Sequence, residues 1–352
     1  MASKTPLKTP LASELHGRTA TLADNPRMTA LSRRSLLALP LMAAAGVRAE
    51  PAAPIFVLNS LEGSVSVVDP IGWKEIGRIP TGKEPHHLYL TPDEKSVIVA
   101  NAASDSLTFI HPRTGEVQRT LRDILDPYHL RFSPDMKWFV TAANRLNHVD
   151  LYRWDGTTPT LARRIATSQT PSHLWIDSKS TTVYATMQDS NELVAIDLAT
   201  QAIKWRARTG AMPADVFGIP GDKHLLVALT GSDAVEVFDV AGPVAIKMGH
   251  IKTAAGAHAF RAQGDGRHVW VSNRVHNSLS KIDMQTLQVV QQIMVPSGPD
   301  CMDISRDGKT LLVTSRWAAR LSVVDLVSGK MVRQVRVGRG PHGVWTLDHA
   351  PR

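Results

Sequence analysis

The stretch Pro85-His86-His87-Leu88-Tyr89-Leu90-Thr91-Pro92-Asp93 decides the fold of this chain. A proline, two variable residues, an alternating apolar run and a Pro-Asp turn are typical of a short strand that enters a hairpin. The arrangement returns six times, so that the seven units begin at Pro85, Pro127, Pro171, Pro213, Ala257, Pro299 and Pro341. The spacing between successive anchors is 42 or 44 residues throughout.

Three further apolar or mixed runs lie between one anchor and the next. In the unit that begins at Pro299 they are Leu311–Ser315, Leu321–Asp325 and Met331–Val337. The second of these runs usually ends on an acidic residue that we expect to cap the following turn, as Asp69, Asp197, Asp239, Asp283 and Asp325 do. A fixed period of about 40–45 residues with four strands per unit is typical of a β-propeller.

The ends of the repeat region predict how the ring closes. The last anchor, Pro341–Leu347, supplies one strand only, whereas Ile55–Asn59, Val65–Asp69 and Glu75–Ile79 supply three strands without an anchor. We therefore predict an all-β, seven-bladed β-propeller with four antiparallel strands per blade, closed by the C-terminal strand joining the first blade. Closure removes the exposed sheet edges that invite aggregation.

The repeat resembles the YVTN family of bacterial β-propellers. The resemblance rests on Pro341-His342-Gly343-Val344, Ser305-Arg306-Asp307-Gly308-Lys309, Leu312-Val313-Thr314-Ser315 and Leu321-Ser322-Val323-Val324-Asp325, and it covers roughly residues 55–348. It implies a propeller, but not one function. Related propellers include binding proteins, sugar-lactone hydrolases and the haem-binding propeller of periplasmic nitrite reductases.

Residues 1–49 are predicted to be a leader, and residues 50–352 the propeller. Ser32-Arg33-Arg34-Ser35-Leu36-Leu37 matches the twin-arginine export pattern, and Val47-Arg48-Ala49 fits a cleavage site. Met28 is an alternative start, which would leave residues 1–27 untranslated. The apolar stretch Leu36–Ala45 is too short to span a bilayer. We therefore expect a periplasmic protein without a transmembrane segment.

Charge and cysteine content narrow the function classes. The formal net charge is +8, of which residues 1–49 contribute +5, so +3 remains on the propeller. Nucleic-acid binding is therefore not favoured. The single cysteine, Cys301, excludes an internal disulfide. We expect a monomer.

The two positions after each anchor carry the candidate site. The first position holds His86, Tyr128, Ser172, Ala214, His258, Asp300 and His342; the second holds His87, His129, His173, Asp215, Ala259, Cys301 and Gly343. Histidine at the first position is ordinary for the family, whereas the second position usually has a small residue. His87, His129 and His173 come from consecutive blades, an arc that suits Zn, Cu or haem iron, with Cys301 and Asp215 as further ligands. The alternative is that each histidine caps its own strand.

The anchors should share one rim of the channel with the loops between the second and third strands of each blade. Those loops add Arg145, Arg274 and Arg316, whose guanidinium groups could hold a carboxylate or a sugar. Asn59, Asn101 and Asn273 in the same loops fit turn chemistry better.

We predict a binding protein that uses this histidine-rich channel mouth for a metal, a cofactor, another small ligand or a partner protein. His86, His258 and His342 belong to the same predicted site. A lactone hydrolase and a haem-handling propeller related to nitrite reductase maturation are the alternatives. The chain has no Gly-x-Ser-x-Gly elbow and no Cys-x-x-Cys-His haem attachment, which excludes classical serine hydrolysis and covalent c-type haem.

Overall fold

The computed structural model describes residues 52–351. The predicted leader, with its paired arginines, its cleavage site and the alternative start Met28, lies outside the described residues. Within the described part of the chain, no helix is long and apolar enough to cross a membrane.

Seven four-stranded antiparallel sheets make up the described residues. The first three blades contain β1 (Ile55–Asn59), β2 (Ser64–Asp69), β3 (Lys74–Pro80); β4 (Pro85–Leu90), β5 (Val97–Asn101), β6 (Ser106–Ile110), β7 (Val117–Arg122); and β8 (Pro127–Phe132), β9 (Trp138–Ala143), β10 (His148–Trp154), β11 (Pro159–Ala166). A 3-10 turn, Ala102–Ser104, follows β5.

The remaining blades repeat the same order. They contain β12 (Pro171–Ile176), β13 (Thr182–Met187), β14 (Glu192–Asp197), β15 (Ala202–Arg208); β16 (Pro213–Gly218), β17 (His224–Leu229), β18 (Ala234–Asp239), β19 (Ile246–Lys252); β20 (Ala257–Ala262), β21 (His268–Asn273), β22 (Ser278–Asp283), β23 (Gln288–Met294); and β24 (Pro299–Ile304), β25 (Thr310–Ser315), β26 (Arg320–Asp325), β27 (Lys330–Arg336). The last strand is β28 (Pro341–Thr346).

The C-terminal strand closes the ring as predicted. β28 is the inner strand of the first blade, with the sheet order β28-β1-β2-β3. Its residues pair with β1 in antiparallel register, Thr346 opposite Ile55 and Trp345 opposite Phe56. The fold prediction is therefore confirmed, including the number of blades and the closing strand.

The apolar cores lie between neighbouring blades. Every residue of β5, β9 and β13 is buried, because both faces of these strands pack inside the ring. One core joins Trp138 and Val140 of the third blade to Leu174 and Val183 of the fourth. The outermost strands, such as β7, are largely exposed on the rim of the disc. Burial between blades thus fixes the radial position of each inner strand.

The five acidic residues at the ends of the third strands cap turns, as the sequence predicts. The Asp69 side chain accepts hydrogen bonds from the backbone N–H groups of Ile71 and Gly72 at 3.0 Å each. Asp325 does the same for Val327 and Ser328. These carboxylates face away from the anchors and serve the fold.

Each of the seven inner strands carries an irregularity at the two positions after its anchor. In the fourth blade the register with β13 jumps between Pro171, opposite Met187, and Leu174, opposite Ala185. The corresponding shift occurs in the other six inner strands. A β-bulge changes the direction of the side chains beside it, so two successive residues no longer have to face opposite sides of the sheet.

Candidate functional site

The bulges place two layers of side chains in the channel. We call the first-position residues, His86, Tyr128, Ser172, Ala214, His258, Asp300 and His342, the cap layer. We call the second-position residues, His87, His129, His173, Asp215, Ala259, Cys301 and Gly343, the histidine layer. The imidazoles of the successive residues His86 and His87 lie 4.9 Å apart between ring centroids, which shows that both layers face the channel.

His87, His129 and His173 of the histidine layer converge. Their ring centroids are 4.5 Å apart for His87 and His129, 4.7 Å for His129 and His173, and 4.8 Å for His87 and His173. One ring nitrogen from each residue lies within 4.8 Å of the other two. The structure therefore brings together the three residues that the sequence pattern selected. That they hold a metal remains a prediction.

The environment of His87 and His173 keeps a ring nitrogen of each available to a ligand. Burial lowers the pKa of His87 well below its ordinary value, and the neighbouring His129 and His173 lower it further. His87 is therefore neutral at pH 7. The buried Nε2 atoms of His87 and His173 have no hydrogen-bond partner among the described residues. A buried polar atom without a partner costs free energy, and a ligand that uses its lone pair would recover that cost.

Asp215 lies beside His173 rather than among the three converging nitrogens. Its Oδ1 atom is 3.1 Å from Nδ1 of His173 and accepts a 2.8 Å hydrogen bond from its neighbour Val216 N–H. Its Oδ2 atom accepts the Phe260 N–H at 2.8 Å. Burial raises the pKa of Asp215, but His173 and these hydrogen bonds outweigh burial and lower it below the ordinary value. Asp215 is thus an ionised partner for the Nδ1 side of His173.

Cys301 lines the same cavity, but its contacts are with the cap layer. Its Sγ atom lies 3.5 Å from Nδ1 of His342 and 3.8 Å from Oδ1 of Asp300. Burial, together with the charges of Asp300 and Asp215, raises the pKa of Cys301 well above its ordinary value. Cys301 is therefore a thiol and not a thiolate in the metal-free protein.

The cap layer contains a buried ion-pair network around Asp300. The carboxylate is fully buried, and its Oδ2 atom accepts a 2.6 Å hydrogen bond from Arg274 and lies 3.8 Å from Arg316. Its Oδ1 atom is 3.3 Å from Nε2 of His258 and 3.4 Å from Nε2 of His342. Burial alone would raise the pKa of Asp300, but Arg274, His342 and His258 hold it well below the ordinary value.

The cap-layer histidines are neutral for related reasons. Burial is the main cause that lowers the pKa of His258 to about 4, and the adjacent Arg274 contributes. Burial likewise holds the pKa values of His86 and His342 well below the ordinary value. The His86 ring packs 3.6 Å from His342 and 3.8 Å from Tyr128 between centroids. These side chains fill the channel at the end where the anchors begin.

The arginines of the loops are engaged within the protein. Arg274 and Arg316 contact Asp300 of the cap layer, which shows that these loops and the anchors share one rim, as predicted. Arg145 forms ion pairs with Glu84 and Asp126, at 2.5 and 2.7 Å. Contact of these three residues with a ligand remains a prediction.

The three asparagines are buried at the ends of strands β1, β5 and β21 and do not act as simple turn residues. The Asn59 amide donates to the hydroxyl oxygens of Ser64 and Ser66 on the next strand, and Asn101 and Asn273 form equivalent pairs in their blades. Their side chains therefore join neighbouring strands instead of bonding to loop backbone.

Two connected cavities lie beyond the cap layer, on the side that faces away from the anchor rim. A small cavity of about 90 Å³ is lined by His87, His129, His173, Asp215 and Cys301, among others. A larger one, of about 640 Å³, lies at the opposite mouth, where the inner strands end. Arg131, Trp175, Phe217 and Ala262 line both cavities, so that the small cavity opens into the large one. The sequence predicts ligand access at the anchor rim, where the cap layer lies, whereas the small cavity opens toward the opposite mouth.

Sequence reasoning missed the residues that line the larger cavity. Five of them, Tyr89, Arg131, Trp175, Phe217 and Trp345, occupy the fourth position after their anchors, a position that holds Arg261 and Asp303 in the other two blades. The sequence contained a signal for these residues. Residues two apart on a strand share a face, so the fourth position after each anchor faces the same way as the second. Six of the seven fourth-position residues are aromatic or arginine, a composition typical of binding surfaces.

The fold and the channel define a seven-bladed β-propeller with a histidine-lined interior. The chain matches the description of the YNCE-like beta-propeller family over residues 33–352. It belongs to that family. The resemblance to a β-propeller family is thereby confirmed, whereas the YVTN assignment stays a prediction. A comparison with curated proteins found no matching relative.

Several solved structures share the fold at low sequence identity. The periplasmic gluconolactonase PpgL of Pseudomonas aeruginosa is 18% identical, with a TM-score of 0.71, over 83% of this chain and 98% of that one. The dihydro-heme d1 dehydrogenase NirN, solved in complex with DHE, is 17% identical, with a TM-score of 0.64, over 84% and 75%. A protein of unknown function from Desulfotomaculum acetoxidans is 14% identical, with a TM-score of 0.71, over 84% and 98%. At these identities the likeness shows the fold alone.

Proposed function

We propose that this protein is an exported, periplasmic β-propeller that binds a transition-metal ion, zinc or copper, through His87, His129 and His173. One observation carries the proposal: three imidazoles from consecutive blades place a ring nitrogen each within 4.8 Å of the other two in a buried cavity. Imidazole nitrogen suits Zn and Cu better than it suits Mg or Ca.

The geometry is compatible with a metal after small side-chain rotations. Three nitrogens that all lie within 4.8 Å of one another are at most about 2.8 Å from a common central point. Zinc binds histidine nitrogen at about 2.0–2.1 Å, so each imidazole would move inward by at most about 0.7 Å. The unpaired Nε2 atoms of His87 and His173 support this use of the site.

Asp215 fits the role of an orienting partner. Histidine ligands commonly donate their second ring N–H to a carboxylate, which fixes the tautomer and raises the basicity of the ligating nitrogen. The carboxylate of Asp215 lies 3.1 Å from Nδ1 of His173, which leaves Nε2 of His173 for the metal. Both oxygens of Asp215 already accept backbone hydrogen bonds, so we assign Asp215 to orientation and not to ligation.

The size of the small cavity favours an ion over the larger candidates. Pockets for drug-sized organic ligands have volumes of about 300–1,000 Å³. The cavity at the three histidines measures about 90 Å³, which is enough for an ion and a few waters but small for a sugar lactone or a tetrapyrrole. We therefore assign an ion, and neither a sugar lactone nor a tetrapyrrole, to the cavity at the three histidines.

Metal-dependent thermal stability tests the proposal. A ligand that binds only the folded state at a hundredfold excess over its dissociation constant stabilises by about 2.7 kcal/mol, or about 5 °C in a chain of this length. We expect zinc or copper(II) to raise the Tm of the wild type and of His250→Ala, whose histidine is exposed on β19. The central substitution His129→Ala should remove most of the increase.

Metal analysis of the purified protein gives the second readout. The proposal predicts one metal ion per chain in the wild type and less than a tenth of that in His129→Ala. If neither metal raises the Tm of the wild type, or if His129→Ala responds as the wild type does, the three histidines are structural and the proposal is wrong.

A further inference from the structure

The larger cavity at the mouth opposite the cap layer has the properties of a ligand site. Its volume of about 640 Å³ lies within the range of organic-ligand pockets. Tyr89, Trp175 and Phe217 contribute aromatic faces from inner strands of three blades. We call this cavity the aromatic chamber.

The aromatic side chains of the chamber are held in place by close packing. The rings of Trp175 and Phe217 are 4.8 Å apart, and the guanidinium of Arg131 lies 4.5 Å from the Trp175 ring. The indole of Trp175 rests on Gly218, where an added Cβ would come within 2.2 Å of the indole nitrogen. A pre-positioned aromatic wall binds a flat ring without a large loss of side-chain entropy.

The C-terminal residues cover one side of the mouth and leave the aromatic side open. Arg261 and Asp303 fill the fourth positions of the sixth and seventh blades and form a buried ion pair at 2.9 Å. Arg261 also donates hydrogen bonds to the backbone carbonyls of Ala350 and Pro351, which lie over this side. Trp175 and Tyr89, on the other side, remain partly exposed.

The charges of the chamber favour an uncharged ligand. The guanidinium of Arg131, which lines the chamber, donates a 2.8 Å hydrogen bond to the Leu174 carbonyl and lies over the Trp175 ring. The hydroxyl groups of Thr91 and Ser133 donate to Asp93 and Asp135. A wall of this kind offers stacking and apolar burial more than hydrogen bonds.

We propose that the aromatic chamber is a second binding site, for a planar, uncharged, fused-ring organic molecule stacked against Trp175. The chamber shares Arg131, Trp175 and Phe217 with the histidine cavity, so the bound ring would also cover the passage to the three imidazoles. The covering of this passage rests on the proposed metal site, whereas binding of the ring in the aromatic chamber does not.

Isothermal titration calorimetry with 2-naphthol, a flat uncharged probe, tests the site. Its saturated counterpart, decahydro-2-naphthol, is not planar and serves as the control ligand. We expect 2-naphthol to bind at least tenfold more tightly than the saturated alcohol. Trp175→Ala should weaken 2-naphthol binding at least tenfold, and Gly218→Ala should weaken it by displacing the indole. Trp317→Ala, which alters an exposed tryptophan in the loop after β25, should leave it unchanged.

A Tm measurement on each variant shows that it is folded before titration. The inference is overturned if 2-naphthol does not bind the wild type, or if folded Trp175→Ala and Gly218→Ala both bind it as well as Trp317→Ala does. With zinc-loaded protein, saturating 2-naphthol should also slow zinc removal by EDTA at least fivefold. If the protein binds no metal but retains Trp175-dependent binding of 2-naphthol, the chamber is supported and the proposed metal site is wrong.

Discussion

Mild acid should destabilise the metal-free propeller through its buried histidines. His258 is the clearest member, with a pKa of about 4 in the folded protein against an ordinary value of 6.5. Because the folded pKa is the lower one, the unfolded chain binds more protons below pH 6.5. The free energy of unfolding therefore falls as the pH drops from about 6.5, until the folded His258 also takes up its proton near pH 4.

The size of this loss follows from the pKa difference. One pKa unit is worth about 1.36 kcal/mol. Because His258 stays neutral in the folded protein, the free energy of unfolding is about 2 kcal/mol lower at pH 5 than at pH 7. His86, His87 and His342 have pKa values well below the ordinary value, and each adds a loss in the same direction. Natural domains are stable by about 5–15 kcal/mol, so a loss above 2 kcal/mol is readily measured.

Urea unfolding in the presence of EDTA, at pH 7 and pH 5, measures the effect. His258→Gln keeps a polar, uncharged side chain and should reduce the loss between the two pH values by about 2 kcal/mol. His250→Gln is the matched control, because this side chain is exposed to solvent and its replacement should leave the pH dependence unchanged. Equal unfolding free energies of the wild type at pH 7 and pH 5 would refute the reasoning. A His258→Gln variant that loses as much unfolding free energy between pH 7 and pH 5 as the wild type would also refute it.

Three further predictions test the ring, the network and the leader. Deleting residues 341–352 removes β28, including the buried Trp345, and should abolish cooperative thermal unfolding; a truncated chain that melts like the full one would contradict the closure. Asp300→Asn leaves Arg274 and Arg316 without their buried counter-charge and should lower the urea unfolding free energy by about 3–5 kcal/mol, whereas Asp325→Asn, on an exposed turn, should change it by under 1 kcal/mol. Combined Arg33→Lys and Arg34→Lys should retain the precursor in the cytoplasm, because the export receptor reads the guanidinium pair; normal processing in a cell fractionation would point to another route.

The sequence repeat allowed the fold to be predicted. A constant spacing of anchors fixed the number of blades, and the incomplete first and last units fixed the closing pair, β1 with β28. The equivalence of positions in a repeat also predicted that His87, His129 and His173 lie together. A repeat gives such predictions because each unit occupies the same place relative to the channel axis.

The rest of the site depended on details that the pattern does not encode. A regular strand would send His86 and His87 to opposite faces, and only the bulge after each anchor lets both face the channel. The network of Asp300 with Arg274 joins two blades through rotamers that no spacing specifies. The aromatic chamber was visible in the fourth positions, but aromatic residues on strands are more often core residues than ligand contacts.

Anomalous X-ray diffraction from crystals grown with zinc or copper, recorded at the absorption edge of the metal, tests the metal site most directly. One strong anomalous peak is expected between His87, His129 and His173, about 2.0–2.1 Å from a nitrogen of each ring. The peak should be absent from His129→Ala crystals grown in the same way. No peak between the three imidazoles in the wild type, or an equal peak in His129→Ala, would contradict it.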